Sequence, residues 1–433
     1  MRSAASSGLA LLLCGAMAAS LPLQARAADT AATAQTSSLT DLIEALKTYN
    51  PQLIQARQNY LAAKLVEPQV EAEPGAQFGL LEQANTGGPF DFNKNSGFFA
   101  YYNFTQPILW PGKRRLAGEV AKAQAEVVGR QYDSLVLQLV SQLKLSFYQL
   151  MALQDQLRFM DEDQQRLEQI KEVTKVQYAN NAAAYVDYLN AQVSASSLEN
   201  DRFSLQKQIL TAREQINTLL GRSSQEPLNL RDADITPHMP SKPLKELIVL
   251  AQDSNPVIAG GASQIEAADK SVSLAKKAYY PDFQFVVGAF SDPPLNIDHS
   301  ARMYSVGVNL TLPTWFFEKE KAGVGQASAL LDAAQANQAS NLQQVELNVA
   351  SAYHGLETAI QQVKFTHERL LPQARMAYRL ALTSYSSNGG AAFSQLLTAQ
   401  SGLRSTELSL VQSENAALQA YVSLTAAIGR DPN

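Results

Sequence analysis

The side chains able to do chemistry are few in this sequence, and their spacing does not build a reaction centre. No histidine has a second histidine four residues away, the spacing that places two metal ligands on one face of a helix. The four histidines are His238, His299, His354 and His367. Glycine-rich segments such as Asn388–Gly390 have the composition of turns rather than of phosphate-binding loops. We therefore expect no catalytic residue, no cofactor and no metal site.

The start of the chain has the features of an export signal. Residues 1–27 combine Arg2, the apolar run Gly8–Leu23 and small residues leading to a cleavage point after Ala27. This pattern predicts a signal peptide that is removed from the mature protein. Residues 28–38 are then expected to form a flexible N-terminal segment.

The single cysteine, Cys14, lies within the apolar run of that signal. Leu13 precedes it where a lipoprotein signal would carry a small residue, so a mature chain without cysteine is favoured over a lipidated one. Such a chain has no disulfide and no thiolate metal site. The formal net charge of −5, with no basic cluster among interleaved aromatic residues, argues against a nucleic acid partner.

Beyond this signal the sequence repeats one plan. Landmarks recur in the same order at offsets of 205 to 208 residues, which chance similarity of two helical stretches would not preserve. The paired landmarks are Asn50–Pro51 with Asn255–Pro256, Pro74 with Pro281, Tyr178 with Tyr385, and Arg222 with Arg430. We predict a first repeat over residues 39–222, a linker over 223–242 and a second repeat over 243–430.

Each repeat contains two segments with the period of two that is typical of β-strands. In Met303–Leu312, large apolar side chains alternate with small or polar ones without a break. The predicted strands cover residues 76–84, 96–106, 282–291 and 302–312. Four strands cannot close a barrel, which needs about eight, and an open edge cannot lie in lipid. A membrane-inserted sheet of this chain would therefore have to assemble with copies of itself.

Long helices are predicted after the strands of each repeat. No proline occurs between Pro111 and Pro227, and apolar residues recur there at the three- and four-residue spacings of a packed helical seam. In the second repeat, Pro372 is expected to bend or break the long helix. The predicted long helices cover residues 114–178 and 318–385, and the predicted return helices cover 184–221 and 392–429.

The point where strand gives way to helix is also duplicated. Asn103–Arg115 and Asn309–Lys321 share asparagine, threonine and proline in step. Proline here is expected to stop strand pairing, and Pro111–Gly112 to redirect the chain. Lys113 and Arg114 are interpreted as solvated charges at a membrane boundary, with contact to lipid head groups as the alternative. The predicted corner residues are Gln106, Pro107, Pro111, Gly112, Lys113, Arg114 and Pro313.

From Leu39 to Arg430 the sequence resembles the TolC-type outer-membrane efflux proteins. The resemblance rests on the duplicated Asn–Pro helices, the corner at Gln106–Arg114, the paired helix turns and the two Gly–Arg ends. It implies a mixed α/β membrane protein that forms a homotrimer, with a twelve-stranded β-barrel continued by an α-helical tunnel. The implied location is the outer membrane of a Gram-negative bacterium, with the tunnel extending into the periplasm.

The same resemblance implies partners and a cargo. The partners are outer-membrane lipid, a periplasmic adaptor protein and an inner-membrane pump. The Pro–Gly–Lys–Arg corner at Pro111–Arg114 is similar to that of the branch serving heavy-metal pumps of the resistance–nodulation–division class. Metal cations are therefore one candidate cargo.

The resemblance also places the adaptor-docking surface and a closed aperture at the helix turns farthest from the membrane. Positions where the family carries acids that constrict the entrance read Gln395 and Thr398 here, which argues against a strongly cation-selective entrance. Asp187 is the one acid near either turn. A carboxylate favoured by the helix dipole is its simpler role, and a contact that holds the aperture shut is the alternative. The expected tip residues are Asn180, Asn181, Ala182, Tyr185, Asp187, Asn388, Gly389, Gly390, Phe393 and Gln395.

These observations favour a passive exit duct of the outer membrane over an enzyme. Within the same fold, drug efflux and type I protein secretion are alternatives to the efflux of metal cations. A periplasmic adaptor or a structural coiled-coil protein would account for the helices. Neither would account for two pairs of strands with an apolar face.

Overall fold

The computed structural model describes residues 38–85, 97–230, 238–291, 302–311, 317–387, 392–430 and 432. The predicted signal peptide lies outside these residues, as does all of the flexible segment except Ser38. Pro313 and the predicted tip residues Asn388, Gly389 and Gly390 also lie outside them. Within the described part of the chain, helices and strands follow one another in two similar series.

Each series consists of short helices, two strands and two or more long helices. The first comprises α1 (Leu39–Tyr49), α2 (Pro51–Lys64), α3 (Val66–Glu71), β1 (Gln77–Asn85), β2 (Gly97–Ile108), α4 (Lys113–Ala179) and α5 (Tyr185–Leu219). The second comprises α6 (Leu244–Ser254), α7 (Pro256–Lys276), β3 (Asp282–Ser291), β4 (Arg302–Thr311), α8 (Glu318–Phe365), α9 (Leu371–Ser386) and α10 (Phe393–Ile428). A single π-helical turn, Thr366–Leu370, separates α8 from α9.

The Asn–Pro pairs form equivalent corners in the two series. Asn50 caps α2 with its side-chain oxygen, and its Nδ2 donates to the carbonyl oxygen of Leu219 at 2.7 Å. Asn255 caps α7 in the same way and donates to the carbonyl oxygen of Ala427, also at 2.7 Å. Proline follows each asparagine because its fixed φ suits the first helical turn. Each first corner is thereby tied to the end of the last helix of its own series.

The glycine of each Gly–Arg end is required by its backbone. Gly221 has φ +70° and Gly429 has φ +90°, a left-handed conformation that favours glycine. A Cβ on Gly221 would lie 2.6 Å from the carbonyl oxygen of Tyr49, and one on Gly429 would lie 2.8 Å from that of Ser254. The two series therefore close on themselves through the same contact.

The strands form one antiparallel sheet in the order β1-β2-β3-β4. The central pair joins the two series, with Phe104 of β2 opposite Val287 of β3. The outer strands, β1 and β4, each pair with one strand only within the described residues. The sheet therefore ends in two open edges.

The structure corrects the expected role of Pro107. The sequence predicts that this proline stops strand pairing, but β2 continues to Ile108, with Pro107 opposite Gln284. β1 begins at Gln77, opposite Thr105, so Pro107 has a neighbouring strand on one side only. A half-open position of this kind tolerates the missing N–H of proline.

The long helices pack on two apolar clusters. The larger cluster joins α1, α4, α5, α9 and α10 around fully buried side chains such as Leu143, Phe147 and Leu150. The smaller cluster joins α6, α8 and α10 around Leu247 and Val349. At the strand end of the helices, α7 packs between α4 and α8. No helix among the described residues has the length and hydropathy required to cross a membrane.

Candidate functional site

The sheet has two chemically different faces. The pairing register places Phe104, Val287 and Val306 side by side on one of them. This face is open, and Tyr304 is 75% exposed. The exposed apolar residues of the face are Phe78, Leu80, Phe104, Ile108, Phe285, Val287, Tyr304, Val306, Val308 and Leu310. An apolar sheet face of this extent is expected to be covered by lipid or by another protein surface.

The opposite face of the sheet carries mostly small and uncharged polar side chains. Asn103 lies beside Gly79, where a Cβ would come within 2.2 Å of the asparagine Oδ1. The glycine therefore leaves room for the asparagine side chain beside the neighbouring strand. The polar residues of this face include Gln77, Asn103, Thr105, Gln284, Ser305, Asn309 and Thr311. Such a surface suits contact with water.

The first strand-to-helix corner is fastened to the second series. Lys113 Nζ donates to Asp282 Oδ1 at 2.8 Å and to the carbonyl oxygen of Tyr280 at 2.9 Å. The backbone N–H of Trp110 donates to the same carboxylate oxygen at 2.9 Å, and the Trp110 ring stacks on Tyr280. The interpretation of Lys113 as a solvated charge is wrong, because its side chain is 13% exposed and paired.

The same corner is tied to the segment that follows α3. Gln106 Nε2 donates to the carbonyl oxygen of Pro74 at 2.8 Å. The guanidinium of Arg114 pairs with the Glu73 carboxylate at 2.9 Å and is more exposed than Lys113. The charges of the corner therefore hold three chain segments together.

A left-handed residue begins the long helix at both corners. Gly112, which follows Pro111 in the turn before α4, has φ +88°. Phe317, just before α8, has φ +61°. A bulky residue in this conformation is uncommon, and no feature of the sequence predicts it at Phe317. Pro313 of this second corner lies outside the described residues.

The turn between α4 and α5 exposes aromatic side chains. Asn181 has φ +57°, a conformation that asparagine tolerates better than most residues. Tyr185 packs between Tyr178 and Tyr188, with ring centroids 5.5 Å and 6.1 Å apart. Val186 beside this group is also exposed. The first tip is therefore a small apolar surface at the end of the helical hairpin.

Asp187 lies in the first turn of α5. Its Oδ2 accepts a hydrogen bond from the backbone N–H of Ala184 at 3.4 Å. This is the contact expected of a carboxylate that stabilises a helix start. The alternative role of Asp187, closing an aperture, stays a prediction.

The ends of α4 and α9 lie side by side. Gln177 Nε2 near the first turn donates to the carbonyl oxygen of Ser386 at the second, 3.0 Å away. At the second turn Tyr385 packs against Phe393, with ring centroids 5.8 Å apart. Gln395 and the predicted entrance position Thr398 follow in the first turns of α10. The structure thus brings the described residues of the two predicted tip regions together at one end of the long helices.

Comparison with known proteins assigns this architecture to a family. The sequence profile of the outer membrane efflux proteins matches residues 42–222 and 247–430, one segment in each repeat. The chain belongs to this family. No individual curated protein sequence matches it.

Solved structures of outer-membrane channels and of another outer membrane protein share the fold of this efflux protein. The outer-membrane channel OprN is 20% identical, with a TM-score of 0.79 over 91% of this chain and 90% of its own. VceC from Vibrio cholerae is 18% identical, with a TM-score of 0.74 over 91% and 97%. The CmeC outer membrane channel of Campylobacter jejuni is 15% identical, with a TM-score of 0.72 over 90% and 85%.

Family membership decides three of the predictions. The resemblance to TolC-type outer-membrane efflux proteins is confirmed. The location in the outer membrane of a Gram-negative bacterium is confirmed as well. The protein is a transport component and not an enzyme, as predicted. Among the residues that the structure describes, no group of histidine, cysteine and carboxylate side chains is placed to hold a metal ion.

A buried charged cluster between α4 and α10 of this efflux protein was not predicted from the sequence. Asp163 and Arg166 of α4 meet Gln400 and Glu407 of α10. We call these four residues the Glu407 node. A signal was present, because Asp163 falls between Met160 and Leu167 on the apolar seam of α4. A carboxylate at such a position requires a buried partner.

A groove of about 940 Å³, lined by both apolar and polar side chains, runs along the same helices. It lies between α4 and α8, where α7 begins and α10 ends. Its hydrogen-bonding side chains are Ser134, Gln138, Ser141, Gln142, Asn255, Asn341, Gln344, Asn348, Ser351 and Ser423. Amides and hydroxyls of this kind bind water and solutes without contributing a fixed charge.

Proposed function

We propose that this efflux protein is the outer-membrane exit duct of a tripartite efflux system. In this proposal three copies combine their sheets into a twelve-stranded barrel and their helices into a periplasmic tunnel. The single observation that carries the proposal is the four-stranded sheet with an exposed apolar face and two open edges. Open edges cannot remain unpaired in lipid, so β1 of one copy must meet β4 of the next.

The packing of the helices also supports a ring of identical copies. Within one chain, α7 packs against both α4 and α8, whereas its counterparts in the first series, α2 and α3, pack against α4. The remaining surface of α2 and α3 is partly apolar and exposed, and so is part of α8. The exposed residues are Ile54, Leu61, Leu65, Val66 and Val70 on α2 and α3, and Leu330 and Leu347 on α8. In the proposed ring, α2 and α3 contact α8 of the next copy, repeating the contact that α7 makes within a chain.

The number of copies follows from barrel size and from the family resemblance. Two copies supply eight strands, the smallest number that closes around packed side chains, and three supply twelve. A duct needs an open interior, which favours the larger ring. The polar face of the sheet then lines the pore, and the apolar face contacts outer-membrane lipid.

The helix tips are the proposed docking surface for a periplasmic adaptor, which links the duct to an inner-membrane pump. The exposed residues Tyr178, Tyr185 and Val186 give this end an apolar surface that water alone would not favour. The turns at Asn180–Ala182 and around Phe393 carry it on rigid helices. The turn residues Asn388, Gly389 and Gly390 belong to the proposed surface by resemblance.

The proposed pump is of the resistance–nodulation–division class, with metal cations as cargo. This part rests on the similarity of the Pro111–Arg114 corner to the heavy-metal branch. Gln395 and Thr398 at the entrance argue for a duct that conducts cations without strong selection. Drug efflux and type I protein secretion are the competing cargo assignments within the same duct.

Two experiments test the proposal. Purified protein in a planar lipid bilayer should form water-filled channels of uniform conductance, and the absence of any channel would contradict the duct. A deletion strain should become sensitive to zinc, cobalt, cadmium or copper, and the plasmid-borne gene should restore growth. Sensitivity to antibiotics alone, or loss of a secreted protein, would keep the duct and overturn the metal cargo.

A further inference from the structure

The second strand-to-helix corner carries an exposed pair of aromatic rings. Tyr279 ends the short 3₁₀ turn that follows α7, and Phe317 directly precedes α8. Their ring centroids lie 5.6 Å apart, and the side chains are 37% and 45% exposed. Tyr279 comes three residues before β3 begins at Asp282, so the pair lies where the sheet gives way to the helices. Exposed aromatic rings at this level are typical of a boundary between lipid and water.

Phe317 holds its ring at this place at a cost to its backbone. Its φ of +61° lies in the left-handed region that favours glycine. The residue in the same position before α4 is Gly112, with φ +88°. Glycine would therefore be enough to make the turn at Phe317. A bulky residue kept in an unfavourable conformation indicates that its side chain has a role beyond the turn.

Two lysines flank the ring pair on the side away from the sheet. Lys276 is the last residue of α7, three residues before Tyr279. Lys321 follows Phe317 by four residues, and its backbone N–H donates to the Phe317 carbonyl oxygen at 2.8 Å. Because α7 runs toward the sheet and α8 runs away from it, both lysines lie about 5 Å farther from the sheet than the rings. We call Lys276, Tyr279, Phe317 and Lys321 the Phe317 patch.

The two corners differ in how their cations are neutralised. At the first corner Lys113, Arg114 and Arg115 each pair with a carboxylate, at 2.8 Å, 2.9 Å and 2.6 Å. Within the described part of the chain, neither Lys276 nor Lys321 has such a partner, and both side chains are exposed. The lysines of the Phe317 patch are therefore available to an anion from outside the chain.

The acidic residues of the second corner do not cancel its positive charge. Residues 276–277 and 318–321 together contain four lysines and two glutamates. One of these glutamates, Glu320, has a buried Oε2 without a hydrogen-bond partner among the described residues, so this oxygen does not face solvent. The Phe317 patch thus combines apolar rings with positive charge. This combination is complementary to a lipid that carries a negatively charged head group.

We propose that the Phe317 patch binds the phosphate-bearing head group of an anionic lipid in the periplasmic leaflet of the outer membrane. The inference rests on the proposed function, because only a sheet inserted in lipid places this patch at a membrane surface. The ammonium groups of Lys276 and Lys321 bind the phosphate, and the rings of Tyr279 and Phe317 contact the glycerol and the first part of the acyl chains. Each copy in the proposed ring contributes one such site.

The test measures lipid binding to the mature trimer in detergent micelles by native mass spectrometry. Phosphatidylglycerol and phosphatidylcholine are the two probes, and we expect the anionic lipid to bind about tenfold more tightly or better. Lys276→Gln and Lys321→Gln should each lower the affinity for phosphatidylglycerol about fivefold. Arg115→Gln is the matched control, because Arg115 begins α4 at the same level and is 73% exposed but pairs with Glu119. Its affinity should stay within about twofold of the wild type.

Phe317→Gly separates the role of the ring from that of the backbone. Glycine accepts the left-handed conformation, so the unfolding temperature without added lipid should be unchanged or raised. The affinity for phosphatidylglycerol should nevertheless fall about fivefold, because the ring is lost. Lower stability with unchanged lipid affinity would show that the ring serves the fold, and would overturn its place in the site.

Three other outcomes would overturn the lipid site. These are equal affinity of the wild type for both lipids, an equal loss for Arg115→Gln and the lysine variants, and displacement of phosphatidylglycerol by inorganic phosphate at constant ionic strength. The last outcome would mean that the patch binds free anions instead of a lipid. A wild-type protein that forms neither trimers nor channels would overturn the proposed function instead.

Discussion

The two repeats share their ends and differ in the middle of their long helices. Asn50 and Asn255 make the same cap and the same bond to the last helix, and Gly221 and Gly429 make the same close backbone contact. Between these ends, however, α4 is continuous over 67 residues, whereas α8 ends after 48 and is followed by a π-turn and α9. The contacts that close each repeat are thus the same, whereas the long helices between them differ.

The difference extends to what each long helix buries. The buried side chains of α4 include Leu143, Phe147 and Leu150, whereas half of the six buried residues of α8 are alanines. Large side chains contribute more burial free energy than alanine. The first repeat therefore has the properties of a scaffold, and the second has those of a part that can bend.

The largest expected effect comes from matched core leucines. Leu150 of α4 and Leu356 of α8 occupy equivalent positions, and both are fully buried. Truncating either to alanine should cost about 2–5 kcal/mol, with Leu150→Ala at the higher end because its apolar cluster is larger. Thermal unfolding of the detergent-solubilised protein measures which of the two truncations destabilises it more. The exposed Leu210→Ala, on α5, is the control, and a larger loss for Leu356→Ala than for Leu150→Ala would refute the scaffold assignment.

The shared ends are tested by Gly221→Ala and Gly429→Ala. Both changes place a Cβ against a carbonyl oxygen in a left-handed backbone, so each should cost about 1–3 kcal/mol, and by similar amounts. Gly323 in α8 has open space around its Cβ position, so Gly323→Ala should instead stabilise by up to about 1 kcal/mol. The same unfolding assay reads all three. Clearly unequal losses at the two ends would break the equivalence of the repeats.

Hydrogen exchange tests whether the long helices of the two repeats differ in local stability. Backbone amides of Thr366–Leu370 should exchange about tenfold faster than those of Met160–Arg166, because the helical bond pattern is interrupted there. Pro372→Ala should reduce this gap, because the residue no longer blocks an α-helical bond. Exchange rates measured by mass spectrometry decide the outcome. Equal protection at both segments of the wild-type protein would mean that the π-turn does not weaken the long helix of the second repeat.

The smallest expected effect is a pH dependence of stability that arises from Glu414. This residue of α10 lies near Asp155 and Arg158 of α4. Burial is the main cause that raises the pKa of Glu414 above its ordinary 4.5, and Asp155 adds to it while His367 and Arg158 oppose it. A raised folded-state pKa means that the folded protein holds this proton more tightly than the unfolded chain. The resulting stability is present at low pH and is lost as the pH rises through the folded-state pKa.

Glu414→Gln should remove that pH dependence and stabilise the protein at pH 7 by less than about 1 kcal/mol. Melting temperatures of the variant and the wild type at pH 5 and pH 7 provide the measurement. Glu346→Gln, on an exposed part of α8, is the control and should keep the wild-type profile. A variant of Glu414 with unchanged pH dependence would show that burial does not control this carboxyl.

Much of the fold could be predicted from the sequence, because the signals for helices, strands and turns are local. Asn–Pro pairs, prolines in turns and the strict alternation of Met303–Leu312 each reflect backbone rules that operate within a few residues. The partners of Lys113 were beyond such reasoning, because Asp282 is 169 residues away and meets it only in the folded sheet. The left-handed Phe317 was equally hidden, since nothing in its neighbourhood marks a position that glycine would prefer.

The buried polar and charged groups of α4 and α10 show the same limit of prediction from sequence. Asp163 lies on the apolar seam of α4, but its partner Gln400 is 237 residues away. Heptad spacing predicts which face is buried and does not predict which residue of another helix faces it. Contacts between the repeats therefore required the structure, whereas the positions of each repeat's corners could be predicted from its own sequence.

The central claim is that a single chain cannot seal its sheet and must join two identical copies. Native mass spectrometry of the mature protein, released gently from detergent micelles, tests it most directly. We predict one dominant species with three times the mass of the chain, carrying bound lipid. A dominant species with the mass of one chain, under conditions where the protein stays folded, would contradict the account.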